Sequence, residues 1–297
     1  MSQLPPNLRL WTQTLVKQYG LRAGQRLGQH FLIDSGVLQD IITTAQPTSS
    51  VPVLEVGGGL GVLTLALLDQ GAQVTVVELD SQLVVGLRKL SAVGSNLTIV
   101  AGDILKFKDS EMQVAMSLAP EQVFDIVANL PYEISGAFLR RFLSGSWRPR
   151  QMVLLLQLEV GERLAAKPGQ MSLLSLAAQL GCSAIKIVRL VPPTSFWPQP
   201  RVRSCLIKMT LRSKAELEKL LSPEEEKLLW RLARIGFAAR RKLLLNNLSN
   251  GLHVSRGVIS EIFAKISLKS TARAQELSLE QWIVLVRGLE SRIENRE

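Results

Sequence analysis

Cysteine and histidine are scarce. Only Cys182 and Cys205, His30 and His253 occur in 297 residues. Two thiols cannot build a disulfide framework, and these four side chains lack the spacing of a structural zinc site. No metal is expected, and so few thiols fit a reducing compartment. Long apolar runs are missing as well. A stretch such as 153–156 is far below the roughly 20 residues that cross a bilayer, so no membrane partner is expected. The first ten residues, MSQLPPNLRL, lack the charged-then-apolar layout of a secretory signal, which points to the cytoplasm. There is no repeat and no low-complexity tract. What remains is 46% hydrophobic and 20% charged, a globular mixture that excludes a disordered or fibrous chain.

Acid is unevenly missing. None occurs in the first 33 residues, which carry Arg9, Lys17, Arg22 and Arg26. Residues 1–200 have a net charge of +2, whereas residues 201–297 have a net charge of +8. A basic head and tail around a near-neutral middle point to a polyanionic partner.

The hydrophobic period divides the chain. Residues 1–50 read as a polar, partly helical lead-in. Apolar, β-rich runs then follow at 51–56, 74–78, 97–101, 124–128 and 152–157, with helical stretches near 61–70, 81–92 and 135–143. Continuous apolar strands separated by helices predict a doubly wound α/β domain with a parallel sheet. Runs at 184–190 and 204–210 flank a proline-rich turn at 192–200 and are expected to pair as an antiparallel hairpin at the sheet edge. From about 212 the pattern is helical. Ser222-Pro223-Glu224-Glu225 supplies a capping residue, a first-turn proline and first-turn acids. The expected domains are therefore 1–211, the α/β domain with its basic lead-in, and 212–297, a small all-helical domain.

The first β-run ends in Glu55-Val-Gly57-Gly58-Gly59-Leu-Gly61. Glycine after a strand lets backbone approach a ligand closely. The spacing is not that of the dinucleotide fingerprint, since the sixth position from Gly57 is Val62; this disfavours a nicotinamide dehydrogenase. E-x-G-x-G-x-G is the form found in methyltransferases that bind S-adenosyl-L-methionine. Glu78 ends the second run about 20 positions on, where a carboxylate can accept from both hydroxyls of a ribose. Asp103, at the third tip, can accept from an adenine amine while Ile104 packs the ring.

The fourth run ends in Asn129-Leu130-Pro131-Tyr132. An aromatic amine is a poor nucleophile because its lone pair is delocalised into the ring. The side-chain carbonyl of Asn129 and the backbone carbonyl of Leu130 can both accept from it, biasing the nitrogen towards tetrahedral geometry. Pro131 stiffens the turn, and Tyr132 offers a ring face for stacking.

Together with Gly28-Gln29-His30-Phe31-Leu32, Phe196-Trp-Pro-Gln-Pro200 and Phe237-Ala-Ala-Arg240-Arg241-Lys242 followed by Asn246-Asn247-Leu248, these motifs resemble the ribosomal RNA adenine N6-dimethyltransferases, from residue 28 to about 248. The last motif is more similar to the small-subunit branch than to the erythromycin-resistance branch. The resemblance implies cofactor contact by His30, Leu32, Gly57, Glu78, Asp103 and Asn129, to which the glycine loop and the third strand tip add Gly59 and Ile104. It also implies a base clamp of Tyr132 and Phe196, and two methyl groups on each of two adjacent adenosines. Arg240, Arg241 and Lys242, taken as opening a helix with Asn246 and Asn247 further along, are the expected RNA contacts, small-subunit rRNA or its precursor particle the partner, and a monomer the active form. Three positions depart from the family: Leu27 for Phe, Gly58 for Pro and Arg203 for Asp. The alternatives are an erythromycin-resistance-type enzyme acting on large-subunit rRNA and a non-catalytic RNA-binding assembly or transcription factor on the same fold.

Overall fold

The computed structural model describes residues 4–20, 29–91, 96–239 and 241–293. Nine strands form among them: β1 (Phe31–Leu32), β2 (Val53–Val56), β3 (Val74–Glu78), β4 (Leu97–Ala101), β5 (Asp125–Asn129), β6 (Gln151–Gln157), β7 (Cys182–Val191), β8 (Phe196–Trp197) and β9 (Ser204–Leu211). Seven make one sheet in the order β4-β3-β2-β5-β6-β9-β7, while β1 and β8 pair separately. β2 through β6 run parallel to their neighbours, and β9 returns antiparallel along β6 from Gln151 opposite Thr210 to Gln157 opposite Ser204.

The runs Val53-Leu-Glu-Val56 and Val74-Thr-Val-Val-Glu78 are buried at every position, as strands covered on both faces require. β2 starts at Val53, two residues later than the apolar run, because Pro52 has no N–H to give the ladder. Its carbonyl still accepts from Asp125 N at 2.9 Å. From β2 the chain winds one way through β3 and β4. It then places β5 and β6 on the other side. The reversal between β2 and β5 is a topological switch point, where the loops at the strand ends part into a crevice.

Residues 1–50 are more than a lead-in. In the helix Leu8–Gln18, Leu8 and Val16 are buried, and in the helix Ser35–Ala45, Val37, Leu38, Ile41, Ile42 and Ala45 are buried. The second helix joins the core made by Val53, Val76, Val127 and Val153 of the sheet. Asp34 caps it, accepting from Gly36 N and Val37 N at 2.9 and 3.1 Å. The proline-rich 192–200 is also more than a turn, since β8 within it pairs with β1, Phe31 opposite Trp197 and Leu32 opposite Phe196.

The chain divides into two compact units, Met1–Gly161 with Ala184–Leu211, and Glu162–Ser183 with Arg212–Glu297. The expected boundary at 211/212 therefore needs correcting for 162–183, which belongs with the helices. Met171, Leu176 and Leu180 are buried in the same core as Leu229, Leu232 and Trp282. Backbone reinforces this. Gly169 N and Met171 N both donate to the Gln275 carbonyl, at 2.7 and 3.2 Å, and the Arg212 guanidinium donates to the carbonyls of Gln179 and Leu180 at 2.7 and 3.0 Å. In the helix Pro223–Ala238, Ser222 caps as its sequence promised, accepting from Glu225 N at 3.1 Å. No helix among the described residues is long and apolar enough to cross a membrane.

Candidate active site

The crevice at the strand ends is lined by the tips of β2, β3, β4 and β5 and by residues 29–31. After β2 the backbone turns through Gly57 at φ +75° and Gly59 at φ +56°, a conformation that side chains rarely adopt. A Cβ on Gly57 would stand 3.2 Å from the Pro131 ring. Both glycines thus give a bed of bare backbone, and Pro131 of the fourth tip closes over it. Gly58, where the resemblance led to an expectation of proline, has a packing explanation. A Cβ there would lie 2.4 Å from Val76 Cγ1 and 3.0 Å from Leu87 Cδ1, so those side chains occupy the space a proline ring would need.

Glu78, at the end of β3, is 6% exposed and ties the glycine loop to its strand. Its Oε2 accepts from Gly59 N and its Oε1 from Asp80 N, both at 2.9 Å. Burial raises its pKa against the pull of these N–H groups. Each oxygen keeps a second lone pair with which to accept from a hydroxyl. Behind it, Glu55 is fully buried and takes a 2.6 Å bond from Thr64 Oγ1. Burial, reinforced by the charge of Glu78, pushes its carboxyl up to about 8.

At the β4 tip, Asp103 Oδ1 accepts from Leu105 N at 2.9 Å, and Ile104 presents a nearly buried side chain to the crevice. The Ile104 carbonyl is held by the Arg141 guanidinium, which also pairs with Asp109 at 2.8 Å. At the β5 tip, Asn129 Nδ2 donates to the His30 carbonyl at 3.2 Å. That bond uses the amide nitrogen and leaves Oδ1 as the acceptor end. Leu130 N donates to Leu155 O at 3.0 Å. The Tyr132 hydroxyl is 2.7 Å from Ser204 Oγ, and its ring lies 5.7 Å from that of His30 with the planes at 34°. Burial raises the Tyr132 pKa, with the Ser204 bond opposing. His30 Nδ1 lies 2.7 Å from the Pro198 carbonyl. A carbonyl only accepts, so Nδ1 is the donor in this contact.

Of the residues expected from sequence, His30, Gly57, Gly59, Glu78, Asp103, Ile104, Asn129, Leu130 and Tyr132 all line this crevice. Leu32 and Phe196 do not. They are 4% and 1% exposed and pack into the core beneath, because pairing of β1 with β8 turns both inward. The proposed Tyr132–Phe196 clamp is therefore corrected: here the aromatic partner beside Tyr132 is His30. Gln29, Phe31, Leu79 and Leu83 also line the crevice and were given no role, although the first two lie within the quoted 28–32 motif. Gln29 Nε2 donates to Asp80 Oδ2 at 3.0 Å, joining that motif to the β3 tip.

In the helical unit, Arg241 and Lys242 are exposed but lie in the turn before the helix Leu244–Leu252 rather than opening it. Asn247 is 9% exposed and serves the fold, donating to Gly236 O and Ala239 O at 2.8 and 3.2 Å. Arg240, Leu27 and Gly28 lie outside the described residues.

A parallel sheet with a switch-point crevice, a glycine loop without dinucleotide spacing and an acid at the second tip define a Rossmann-like methyltransferase. The bare backbone at Gly57 and the acceptors Glu78 and Asp103 fit S-adenosylmethionine. The family model of ribosomal RNA adenine dimethylases matches residues 20–289, and the chain belongs to that family. A ribosomal RNA small subunit methyltransferase A of Dehalococcoides mccartyi is 37% identical over 280 residues, 94% of this chain and 93% of the relative. One of Bacillus mycoides is 35% identical over 283 residues, 94% and 95% of the two chains. A crystal structure of a dimethyladenosine transferase from Plasmodium falciparum superposes with a TM-score of 0.72 at 25% identity, over 89% of this chain and 98% of that one. The protein is an enzyme, and its reaction is the family's: S-adenosylmethionine-dependent dimethylation of adenine in ribosomal RNA.

Proposed function

We propose that the RNA is that of the small ribosomal subunit, in a partly assembled particle, and that the targets are two adjacent loop adenosines, each methylated twice on N6 during ribosome biogenesis. The observation that carries the site assignment is the opening of Asn129 and Tyr132 into the same crevice as Gly57 and Glu78. The names of the two bacterial relatives support the choice of subunit.

When bound, the cofactor supplies an electrophilic methyl group on a sulfonium. Glu78 holds its ribose and Asp103 its adenine amine, while Gly57 and Gly59 let it lie against backbone. Asn129 Oδ1 and the Leu130 carbonyl accept from the target N6 and aim its lone pair. The His30 carbonyl fixes the Asn129 amide so that Oδ1 faces the task. Tyr132 stacks on the base, which must be in a loop or flipped out, since a helix hides the amine. Recruitment of RNA falls to the helical unit, with Arg241 and Lys242, and Arg240 beside them, as phosphate contacts. The enzyme acts as a cytoplasmic monomer.

The test is incubation of the full chain with labelled cofactor and each ribosomal subunit lacking the modification. Label in small-subunit RNA is the expected result; label confined to large-subunit RNA overturns the subunit assignment. In the same assay Asn129→Ala lowers turnover by about two orders of magnitude, with RNA affinity little changed. Normal turnover in that variant removes Asn129 from the chemistry.

A further inference from the structure

Between β8 and β9 the chain runs Pro198-Gln199-Pro200-Arg201-Val202-Arg203. Its last three residues are exposed, Val202 to 44%. Because β9 is antiparallel to β6 and starts with Ser204 opposite Gln157, these residues enter the sheet at the end where the parallel strands finish, the edge that bears the crevice. The segment is fastened to the crevice at both ends. Upstream, the Pro198 carbonyl holds His30 Nδ1 at 2.7 Å. Downstream, the Arg203 carbonyl accepts from Leu158 N at 3.0 Å, and the next residue, fully buried Ser204, meets the Tyr132 hydroxyl at 2.7 Å. Arg203 is thus one residue step, about 3.8 Å along the chain, from the side chain that anchors the base-stacking ring.

The two arginines are not used by the fold. Arg141, Arg150, Arg189 and Arg287 all pair with carboxylates. Among the described residues neither Arg201 nor Arg203 forms an ion pair or a side-chain hydrogen bond, although the exposed acids Glu133 and Glu159 follow Tyr132 and Leu158 directly in the chain. A base that enters the crevice brings its own 5′ and 3′ phosphates to the rim. Guanidinium groups match phosphate oxygens two at a time, and an apolar side chain between them can cover a sugar or a neighbouring base.

We propose that Arg201 and Arg203 form a phosphate-binding element for the RNA strand on either side of the target adenosine, linked to Tyr132 through Ser204. The proposal rests on the functional reading above. It adds an RNA contact at the reacting end of the molecule, at a position where the family usually carries the opposite charge.

The experiment uses the full chain as wild type, Arg201→Ala/Arg203→Ala, Arg203→Lys and Arg203→Asp, with unmethylated small subunits as probe. Binding is measured across a salt series, and methylation kinetics with labelled cofactor. In the double variant KM for subunits rises about tenfold, and the slope of log affinity against log salt becomes shallower by about 0.7 per lost contact. Arg203→Lys, which keeps the charge but loses the paired geometry, keeps the salt slope of wild type with a KM between wild type and the double variant, and Arg203→Asp is weaker than removal of the side chain. Cofactor affinity, read by calorimetry, is the same in all four. Wild-type KM and salt slope in the double variant overturn the proposal while leaving the assigned reaction intact. If the wild type binds cofactor but labels no small-subunit RNA, the functional reading fails and this element fails with it.

Discussion

Glu55 shows how a single residue can serve the site without touching it. It sits on β2 under the glycine loop, fully buried, with Thr64 as its hydrogen-bond donor and the charge of Glu78 nearby. Unfolded, it ionises near 4.5; folded, burial holds its proton up to about 8. Between those values the unfolded state binds fewer protons than the native one. Glu55 therefore contributes stability that is complete below about pH 4.5 and is lost as pH rises through about 8, at roughly 1 kcal/mol per unit. Glu55→Gln keeps an acceptor for Thr64 and removes the titration. Thermal unfolding from pH 5 to 8 is expected to show a smaller alkaline loss of Tm in the variant, with a remainder from Glu78, whose pKa is raised as well. Glu78, Asp103, Asn129 and Tyr132 were legible in the sequence because each marks the place where an apolar run stops, and in a parallel sheet such places share one edge. The inward turn of Leu32 and Phe196 was not. It depends on β1 pairing with β8, and two-residue strands carry no period to read.

At the scale of elements, caps were easy to read and their partners were not. Ser222 with Glu225 is a local signal, complete within four residues. Asn247 caps at a distance. From the helix Leu244–Leu252 it reaches back to carbonyls at the end of the helix Pro223–Ala238, whose last turn has no intrahelical donors for them. In sequence it follows a basic triplet by five residues, and nothing local marks it as a cap. Asn247→Ala takes the side-chain donor from the buried Gly236 carbonyl, whereas Ala239 O keeps the Lys242 N–H at 2.9 Å; the loss costs about 1–3 kcal/mol, measurable as a lower midpoint in urea unfolding of the full chain. Cofactor affinity of the folded variant is expected to be unchanged, since the crevice is built from the other unit. The helix Leu173–Gly181 teaches a related lesson: it buries Leu176, Ala177, Ala178 and Leu180, but apolar spacing carries no record of which core will bury such a face.

For the whole molecule, the path of the chain matters more than the count of units. It passes from one unit to the other at 161/162, returns at 183/184 and passes over again at 211/212. A chain ending at Leu211 strands Met171, Leu176 and Leu180, which are 0%, 0% and 4% exposed in the intact protein. Such a truncation is expected to bind a hydrophobic dye and to elute as aggregate in size-exclusion chromatography, whereas the full chain does neither. The same path sets an order of events during synthesis. The helix Leu173–Gly181 leaves the ribosome well before the helix Leu279–Ile293 that packs against it. On the order of a hundred residues separate them, roughly 5–20 s of elongation at 5–20 residues per second. Through that interval β7 and β9 can join a sheet whose parallel strands are already made, while the apolar face just upstream of them waits for its partners. A newborn chain of this enzyme thus completes the reacting half first and holds a sticky helix in reserve, a window in which a holding chaperone has a defined target.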